Sequence, residues 1–334
     1  SRLDPDWPAE ERVPTRAGSL VVRRLRTSGL RFVGTWLYMR NLSWWLESNP
    51  VDLAYVSMLK HDAYATLGVA RKRGFPVVLR PEGAGATGDI AWQRWGRFGK
   101  RIGQRCRQAE AVVAISRAIR DELLKDGYEP SRIIDLPNGV PVPETPWNRR
   151  EGWTQAPRAV FTGRLAPEKG LDALLNAWKM VLEHRPTARL TLMGEGPQRP
   201  VLESLARELE IAHAVEMPGV SHDIEAALRA CDLFVLPSRE EGMSMALLEA
   251  MALGVPLVAT SIAGNRKLVS DFKHGRLAKV DDPRSLASAI LDQWADLDRA
   301  AHMGRAARSL VSQKYAISAV AKRHVELFEG LVKR

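Results

Sequence analysis

The segment Ser238–Thr260 constrains the fold and the chemistry of this chain more than any other stretch of its sequence. An apolar run at Leu233–Leu236 precedes it and predicts a buried strand. A helix is predicted to begin near Ser244. This pattern places Glu241 in the loop after the strand and Glu249 on the helix that follows. In an open α/β sheet, ligands bind at this edge, beyond the carboxyl ends of the strands.

The chemistry of this edge is typical of a site for a sugar nucleotide. Backbone N–H groups at a helix start attract phosphate, and two carboxylates beside them can accept hydrogen bonds from sugar hydroxyls. The alternative is that strand-loop-helix units are common and that two glutamates at this spacing arise by chance. A second site upstream favours the functional interpretation.

That second site is the loop Phe161–Gly170, with the sequence FTGRLAPEKG. Ala159–Phe161 is predicted to be a strand that enters the sheet, and Gly163 allows close approach of the backbone. Arg164 and Lys169 lie on the loop, and a diphosphate needs cations at such a position. The alternative is a pair of solvated surface cations. The glycine and proline punctuation of the loop favours the binding site.

Together the two segments strongly resemble the retaining glycosyltransferases of family 4, which have the GT-B fold. The resemblance extends from about Val51 to the C-terminus and is more specific in the C-terminal half. Further segments that match are Ala114–Leu123, Leu136–Val142 and Leu192–Pro197. The matching residues of the two motifs are Gly163, Arg164, Glu168, Lys169 and Gly170 in the first, and Glu241, Gly242, Glu249, Ala250 and Gly254–Pro256 in the second.

The resemblance implies a retaining, metal-independent transferase with a UDP-sugar or GDP-sugar donor and no cofactor. Arg164 and Lys169 would neutralise the diphosphate, Glu249 would hold the ribose hydroxyls, and Glu241 would bind the transferred sugar. Retention in this family is usually assigned to front-side attack, with the departing phosphate taking the acceptor proton. The remaining donor-binding residues implied are Gly163, Gly242, Met243, Ser244 and Leu247.

The acceptor side is predicted at the glycine-rich loop Arg80–Asp89, which follows a predicted strand. Relatives usually carry a His-Gly pair here, whereas this chain has Glu82 and Gly83. Glu82 would accept a hydrogen bond from a hydroxyl of a glycan or lipid-linked acceptor, or contact the donor sugar. The alternative is a solvent-exposed loop without a ligand. No His/Cys cluster with metal-ligand spacing is present, and we expect no metal site.

Alternating strands and helices predict an α/β protein of the GT-B fold, with two Rossmann-like domains whose parallel sheets face each other across a cleft. We expect an N-terminal domain over residues 1–150, a nucleotide-sugar-binding domain over 151–315, and a helix over 316–334 that packs back on the first domain. The first predicted strand is Ser19–Arg24. We expect the N-terminal domain to lack the family's first strand and glycine-rich loop, as in a fragment or a divergent short member.

Positive charge is concentrated in the first half. Residues 1–150 hold 25 Lys and Arg against 16 Asp and Glu. A single helix is predicted over Ile90–Gln108, with basic residues interleaved with Trp92, Trp95 and Phe98 within Trp92–Arg107. This pattern favours an anionic membrane surface. The alternatives are a helix with one solvated basic face, or nucleic acid, for which a basic face is not specific. We expect a cytoplasmic protein, peripheral at the inner face of the plasma membrane, and no nucleic-acid partner.

Two further functions are consistent with this fold. A sugar-nucleotide epimerase or hydrolase would release nucleotide without an acceptor, but the first half shows no clear acid-base pair. An inactive nucleotide-sugar-binding subunit would show no turnover. The chain has two cysteines, Cys106 and Cys231, which cannot form a disulfide framework and are expected in the core.

Overall fold

The computed structural model describes residues 10–15, 18–25, 31–85, 88–149, 152, 155–221 and 223–333. The chain forms two compact units. One comprises Ser1–Asp135 with Val325–Arg334, and the other comprises Leu136–His324. The predicted boundaries near residues 150 and 315 remain predictions, because compactness alone does not define where the family's domains begin and end.

The first unit begins with an antiparallel hairpin of β1 (Glu10–Thr15) and β2 (Gly18–Arg23). β2 corresponds to the strand predicted at Ser19–Arg24, but its partner β1 was not predicted, because its charged residues obscure the strand pattern. Those charges form ion pairs across the hairpin, including Arg24 with Glu11 at 2.9 Å. The strand therefore pairs within a separate two-stranded sheet.

The main sheet of the first unit is parallel, with strand order β3-β4-β5-β6. The central strands β4 and β5 are short apolar runs because both of their faces are covered, whereas the edge strands β3 and β6 are only partly buried. The strands are β3 (Ala54–Ser57), β4 (Val77–Arg80), β5 (Ala111–Ala114) and β6 (Ile133–Asp135), and the helices are α1 (Arg31–Ser48), α2 (His61–Arg73), α3 (Asp89–Trp95), α4 (Gly99–Cys106) and α5 (Arg117–Lys125).

The prediction of one helix over Ile90–Gln108 is wrong, because the chain breaks between α3 and α4. Gly96 is extended, and Phe98 has a left-handed backbone with a φ of 62°. A Cβ on Gly99 would overlap the carbonyl oxygen of Gln93, so the two helices approach closely at the break. Gln93 is buried and donates its amide N–H to the Leu59 carbonyl at 2.8 Å, which anchors α3.

The second unit contains a parallel sheet of order β12-β11-β10-β7-β8-β9 with helices in its connections. The strands are β7 (Arg158–Thr162), β8 (Arg189–Met193), β9 (Val215–Gly219), β10 (Leu233–Leu236), β11 (Leu257–Thr260) and β12 (Arg276–Ala278). The helices are α6 (Leu171–His184), α7 (Arg199–Glu208), α8 (Ile224–Arg229), α9 (Met245–Leu253), α10 (Ala263–Leu268), α11 (Pro283–Ala295), α12 (Leu297–Lys314) and α13 (Ile317–Val332).

The core of the second unit is dense and aromatic at its centre. Trp178 and Trp294 are fully buried and meet edge to face, with ring centroids 5.9 Å apart. Cys231 lies in this core, and Cys106 is buried in the first unit; both are free thiols, as the sequence predicts. Burial raises the pKa of Cys106 to about 12, so this thiol is unreactive.

Helix α13 contributes to both units. Its residues up to His324 group with the second unit, and those from Val325 onward group with the first. The ring of Phe328 lies against that of Tyr55 at a centroid distance of 5.5 Å. Across the described ranges, we find no helix with the length and apolar character required for a membrane span.

Candidate functional site

The two predicted motif loops lie next to each other because their strands are neighbours. β10 pairs in parallel with β7, with Leu233 opposite Ala159 and Phe234 opposite Val160. The loop after β7 carries the first motif and the loop after β10 carries the second. Since parallel strands end at the same edge of a sheet, residues that are about 70 positions apart in the sequence come together there.

The first loop is held by backbone contacts. Gly163 has a φ of 149° and donates its N–H to the Met193 carbonyl at 2.9 Å. A Cβ on Gly194 would overlap the carbonyl oxygen of Gly163, so the β7 and β8 loops touch at this point. Gly170 ends a short 3₁₀ turn with a φ of 62°, and a Cβ there would overlap the Pro237 carbonyl. The glycines therefore allow this loop to pack against both neighbouring loops.

The predicted phosphate-binding cations occupy different environments. The Arg164 side chain is 66% exposed and pairs with Glu168. Burial acts to raise the pKa of Glu168, but its own backbone N–H and the Arg164 guanidinium lower it and prevail. Lys169 is only 19% exposed. Arg164 is thus free to reorient toward a ligand, whereas Lys169 is held at the edge of the sheet.

The Lys169–Glu241 ion pair joins the two motifs. The Lys169 Nζ lies 2.7 Å from Glu241 Oε1, and the Glu241 side chain is only 10% exposed. Ser238 Oγ donates to the same carboxylate oxygen at 2.8 Å. The structure therefore brings the predicted catalytic residues Lys169 and Glu241 together and fixes the Glu241 carboxylate from two sides.

Arg239 is a second link between the loops, and the sequence analysis did not identify it. Its backbone N–H donates to the Glu168 carbonyl at 2.8 Å, and its guanidinium donates to the Pro167 carbonyl at 2.6 Å. The same guanidinium forms ion pairs with Asp172 and Asp281, each at 2.7 Å. The hydrogen bond to Asp172 raises the pKa of Arg239, although burial opposes this rise. Arg239 therefore fixes the first loop against the second.

Helix α9 presents its amino end at this edge, as predicted. Ser244 caps the helix and accepts a hydrogen bond from the Leu247 N–H at 3.3 Å. The Leu247 side chain is fully buried in the core, and the partly buried side chain of Met243 packs against this core. A Cβ on Gly242 would meet no heavy atom within 4 Å. The described protein thus leaves open space beside Gly242, where a ligand can approach the backbone.

Glu249 lies on α9, half-buried among the described residues. Burial raises the pKa of its carboxyl group. Within the described ranges, no hydrogen-bond donor or cation lies against this carboxylate. A half-buried carboxylate without a partner carries a desolvation cost that hydroxyl donors of a ligand would relieve.

A buried polar network supports the second loop and was not predicted. Thr260 donates its hydroxyl to the Ser238 carbonyl, and the Asn265 amide donates to the Thr260 carbonyl at 3.0 Å. A Cβ on Gly264 would overlap the carbonyl oxygen of Glu241. The signal in the sequence was the pair Thr260 and Ser261 at the end of an apolar run, with Asn265 a few positions later.

The predicted acceptor-side residues lie at the end of β4 in the first unit. Glu82 is exposed, and its carboxylate accepts from Arg80 at 2.6 Å. Buried Asp89 holds the loop, because it accepts from the N–H groups of Glu82 at 2.8 Å and Leu59 at 3.0 Å. Gly83 is partly buried, and its carbonyl oxygen would lie 2.8 Å from a Cβ on Gly88. The loop carboxylate is thus exposed on a fixed backbone.

Four of the basic side chains predicted to contact membrane are exposed, namely Arg94, Arg97, Lys100 and Arg101. The other two have structural contacts. Arg105 stacks on Tyr64 at 3.6 Å from the ring centroid, and Arg107 pairs with Asp126 at 2.8 Å. The exposed cations lie on α3, α4 and the break between them.

Comparison with known families gives two matches that together cover most of the chain. The family model for glycosyl transferases group 1 matches residues 156–296, and that for glycosyltransferase family 4 matches residues 3–144. A GDP-mannose-dependent α-(1-6)-phosphatidylinositol monomannoside mannosyltransferase of Mycolicibacterium smegmatis is 31% identical over 69% of this chain and 64% of its own length. A D-inositol 3-phosphate glycosyltransferase of Thermobispora bispora is 32% identical over 68% of this chain and 57% of its own length. The match thus spans less than two thirds of these relatives.

Solved structures share the fold at low sequence identity. Sucrose-phosphate synthase from Thermosynechococcus elongatus has a TM-score of 0.82 at 19% identity and covers 98% of this chain and 86% of its own. Anabaena HepE, in complex with UDP-glucose, has a TM-score of 0.76 at 19% identity and covers 88% and 82%. These matches confirm the predicted α/β fold with two Rossmann-like domains.

Proposed function

Because this chain belongs to the glycosyltransferases of group 1 and family 4, we propose that it is a retaining glycosyltransferase. It moves a sugar from a nucleoside diphosphate sugar to a glycan or lipid-linked acceptor. The observation that carries this proposal is the Lys169–Glu241 pair, which joins the loops of two adjacent strands at the ligand-binding edge.

The donor diphosphate lies between the two loops in this proposal. Lys169 has three N–H donors, so its ammonium can keep Glu241 and still donate to a phosphate oxygen. Arg164 leaves Glu168 and binds the diphosphate with its planar fork. These two cations supply the charge that a divalent metal supplies in other transferases, so the reaction needs no metal and no cofactor.

The two glutamates bind different parts of the donor. Glu249 accepts from the ribose hydroxyls, which would relieve the desolvation of its half-buried carboxylate. Glu241, fixed by Lys169 and Ser238, accepts from the transferred sugar. The N–H groups of Gly242, Met243 and Ser244 bind further sugar hydroxyls.

The donor and acceptor classes are supported by what the relatives are named for. HepE was solved with UDP-glucose, and the mycobacterial relative is named for GDP-mannose and for a phosphatidylinositol monomannoside. We propose a UDP-sugar or GDP-sugar donor for this chain. At the acceptor side, exposed Glu82 on its fixed loop accepts from an acceptor hydroxyl, with Gly83 beside it.

The test is donor turnover with and without acceptor, in EDTA. Candidate UDP-sugars and GDP-sugars are incubated with lipid-linked and free glycan acceptors, and the anomeric configuration of the product is read by NMR. We expect acceptor-dependent nucleotide release and a retained anomer. Equal nucleotide release without acceptor would favour the hydrolase or epimerase, inversion would contradict retention, and binding without turnover would favour the inactive subunit.

We also propose that the protein is cytoplasmic and binds the inner, anionic face of the plasma membrane through the cations of Trp92–Arg107. Arg94, Arg97, Lys100 and Arg101 are exposed and supply the attraction to anionic lipid. Co-sedimentation with anionic vesicles should be strong at low salt and should fall as salt rises. Binding that persists after all four are changed to Glu would exclude this surface.

A further inference from the structure

Helix α1 exposes a row of aromatic side chains that the donor site does not use. Phe32, Trp36 and Trp44 are 64%, 58% and 67% exposed. With exposed Arg40 they recur at every fourth position, so the four residues lie along one face of the helix. We call this face the α1 stripe. Large aromatics in an exposed row are rare on a soluble surface and indicate a face that something covers.

Two cations pack onto aromatic rings of the α1 stripe. The Arg40 guanidinium lies 4.7 Å from the Trp36 ring centroid. Arg97, from the break between α3 and α4, lies 4.6 Å from the Phe32 ring and 5.2 Å from the Phe98 ring. The stripe is therefore continuous with the turn that carries exposed Phe98, and aromatic and cationic groups alternate along the surface.

Helix α1 is also in contact with its own unit. Leu46 is 5% exposed, and the helix packs on α2. Trp36, Arg40 and Tyr64 line a groove of about 460 Å³ between the two helices. Trp36 and Arg40 thus lie at the rim of this groove, and their side chains remain exposed to solvent together with Phe32 and Trp44.

We infer that the α1 stripe is a membrane-docking face that inserts its aromatic rings into the headgroup region of an anionic bilayer. Tryptophan suits this depth because its ring is apolar and its indole N–H is polar. Charge selects this occupant over a second protein copy. Arg40 lies within the stripe, and Arg97 packs on its Phe32 ring. Arg94, Lys100 and Arg101 are exposed on α3 and α4, close in sequence to Arg97, and a like-charged copy would be repelled.

This inference deepens the proposed membrane association by assigning depth and hydrophobic contact to a helix outside Trp92–Arg107. It predicts two separable contributions. The cations attract the protein from a distance and are screened by salt, whereas the inserted rings contribute binding that salt does not screen. It makes no use of the donor site, so failure of this docking would leave the transferase proposal intact.

The experiment compares wild type with Trp36→Ser/Trp44→Ser in co-sedimentation with phosphatidylcholine vesicles containing a phosphatidylglycerol fraction. Phe272→Ser is the matched control, because Phe272 is a 57% exposed aromatic in the second unit. At low salt we expect the partition coefficient of the double variant to be roughly tenfold or more below that of wild type, because wild type removes the apolar area of two tryptophan rings from water when it binds. The control should bind as wild type does. Thermal melting and nucleotide titration of each protein report folding and the donor site.

Quenching by brominated lipid gives the second readout. Wild-type tryptophan fluorescence should fall when the bromine lies near the headgroups, and the double variant should lose most of that quenching. Unchanged partitioning of a folded double variant would overturn the inference. So would a concentration-dependent dimer in light scattering that the double variant abolishes while vesicle binding remains, because the stripe would then be covered by a second copy.

Discussion

Breaking the Lys169–Glu241 pair tests how the two loops cooperate. Lys169→Met removes the ammonium and keeps an apolar stem of similar length. The side chains are 19% and 10% exposed, so the pair lies between a surface pair and a fully buried one. Surface pairs contribute up to ~1 kcal/mol, and loss of one buried partner costs ~3–5 kcal/mol. Glu241 keeps the Ser238 hydroxyl, so we expect a loss of about 2 kcal/mol in the free energy of unfolding.

A double-mutant cycle isolates the pair from its surroundings. A loss of about 2 kcal/mol should lower the Tm by about 4–8 °C for a unit of this size. Glu241→Gln alone should also lower the free energy of unfolding. The double variant should lose about 1 kcal/mol less than the sum of the two single losses. Lys179→Met is the control, because Lys179 is an exposed lysine on α6. Strictly additive losses in urea and thermal unfolding would refute the coupling.

The same variant should weaken nucleotide binding. A charge-assisted contact to phosphate contributes about 1.5–3 kcal/mol, which corresponds to roughly 10–150-fold in Kd. Calorimetry with UDP and GDP measures this, and Lys179→Met should bind as wild type does. Unchanged affinity in Lys169→Met would remove Lys169 from the diphosphate site even if its ion pair with Glu241 is real.

Further variants separate binding, positioning and stability. Glu249→Gln should weaken nucleotide binding yet raise the Tm at neutral pH. Burial raises the pKa of Glu249, so its charged carboxylate destabilises the fold above that pKa, and this penalty disappears as the pH falls through the pKa. A Tm difference between variant and wild type that does not shrink in acid would contradict this role of the charge. Glu241→Gln should lower turnover more than nucleotide affinity, since the transferred sugar is absent from the free nucleotide. Arg239→Ala should lower kcat with little change in KM for donor. Arg239→Lys should restore little of the kcat, because one ammonium cannot replace a guanidinium that holds the Pro167 carbonyl and two carboxylates. A wild-type kcat in Arg239→Lys would show that only the charge matters. Gly264→Ala should displace the Glu241 loop and reduce turnover, as steady-state kinetics will show; wild-type rates would mean that the loop has room to move.

Local patterns predicted much of the second unit from sequence. Apolar runs that end in glycine, proline or serine predicted β7 and β10, and the start of α9 was predicted near Ser244. These features depend on residues within a few positions of each other. The resemblance then added roles for Glu241 and Glu249 that local pattern alone does not give.

The features that sequence did not predict depend on tertiary contacts. The Lys169–Glu241 pair exists because β10 lies beside β7, an order that neither strand encodes locally. In the sequence, Arg239 cannot be distinguished from other loop arginines, because its partners Pro167 and Asp172 are distant along the chain. The break between α3 and α4 was hidden because the basic and aromatic residues around it fit a helical period, whereas contact of Gly99 with Gln93 decides the turn.

The most direct test of the donor site is a calorimetric titration of the wild-type chain and of Gly242→Ala with UDP, GDP and their glucose and mannose conjugates, all in EDTA. Gly242 has open space beside it and no left-handed backbone, so alanine there should leave the fold unchanged. We predict saturable binding of at least one nucleotide without metal, and a loss of affinity in Gly242→Ala that is larger for the sugar conjugate than for the free nucleotide. Absence of binding for every ligand, or binding that requires added Mg²⁺, would contradict the proposed site.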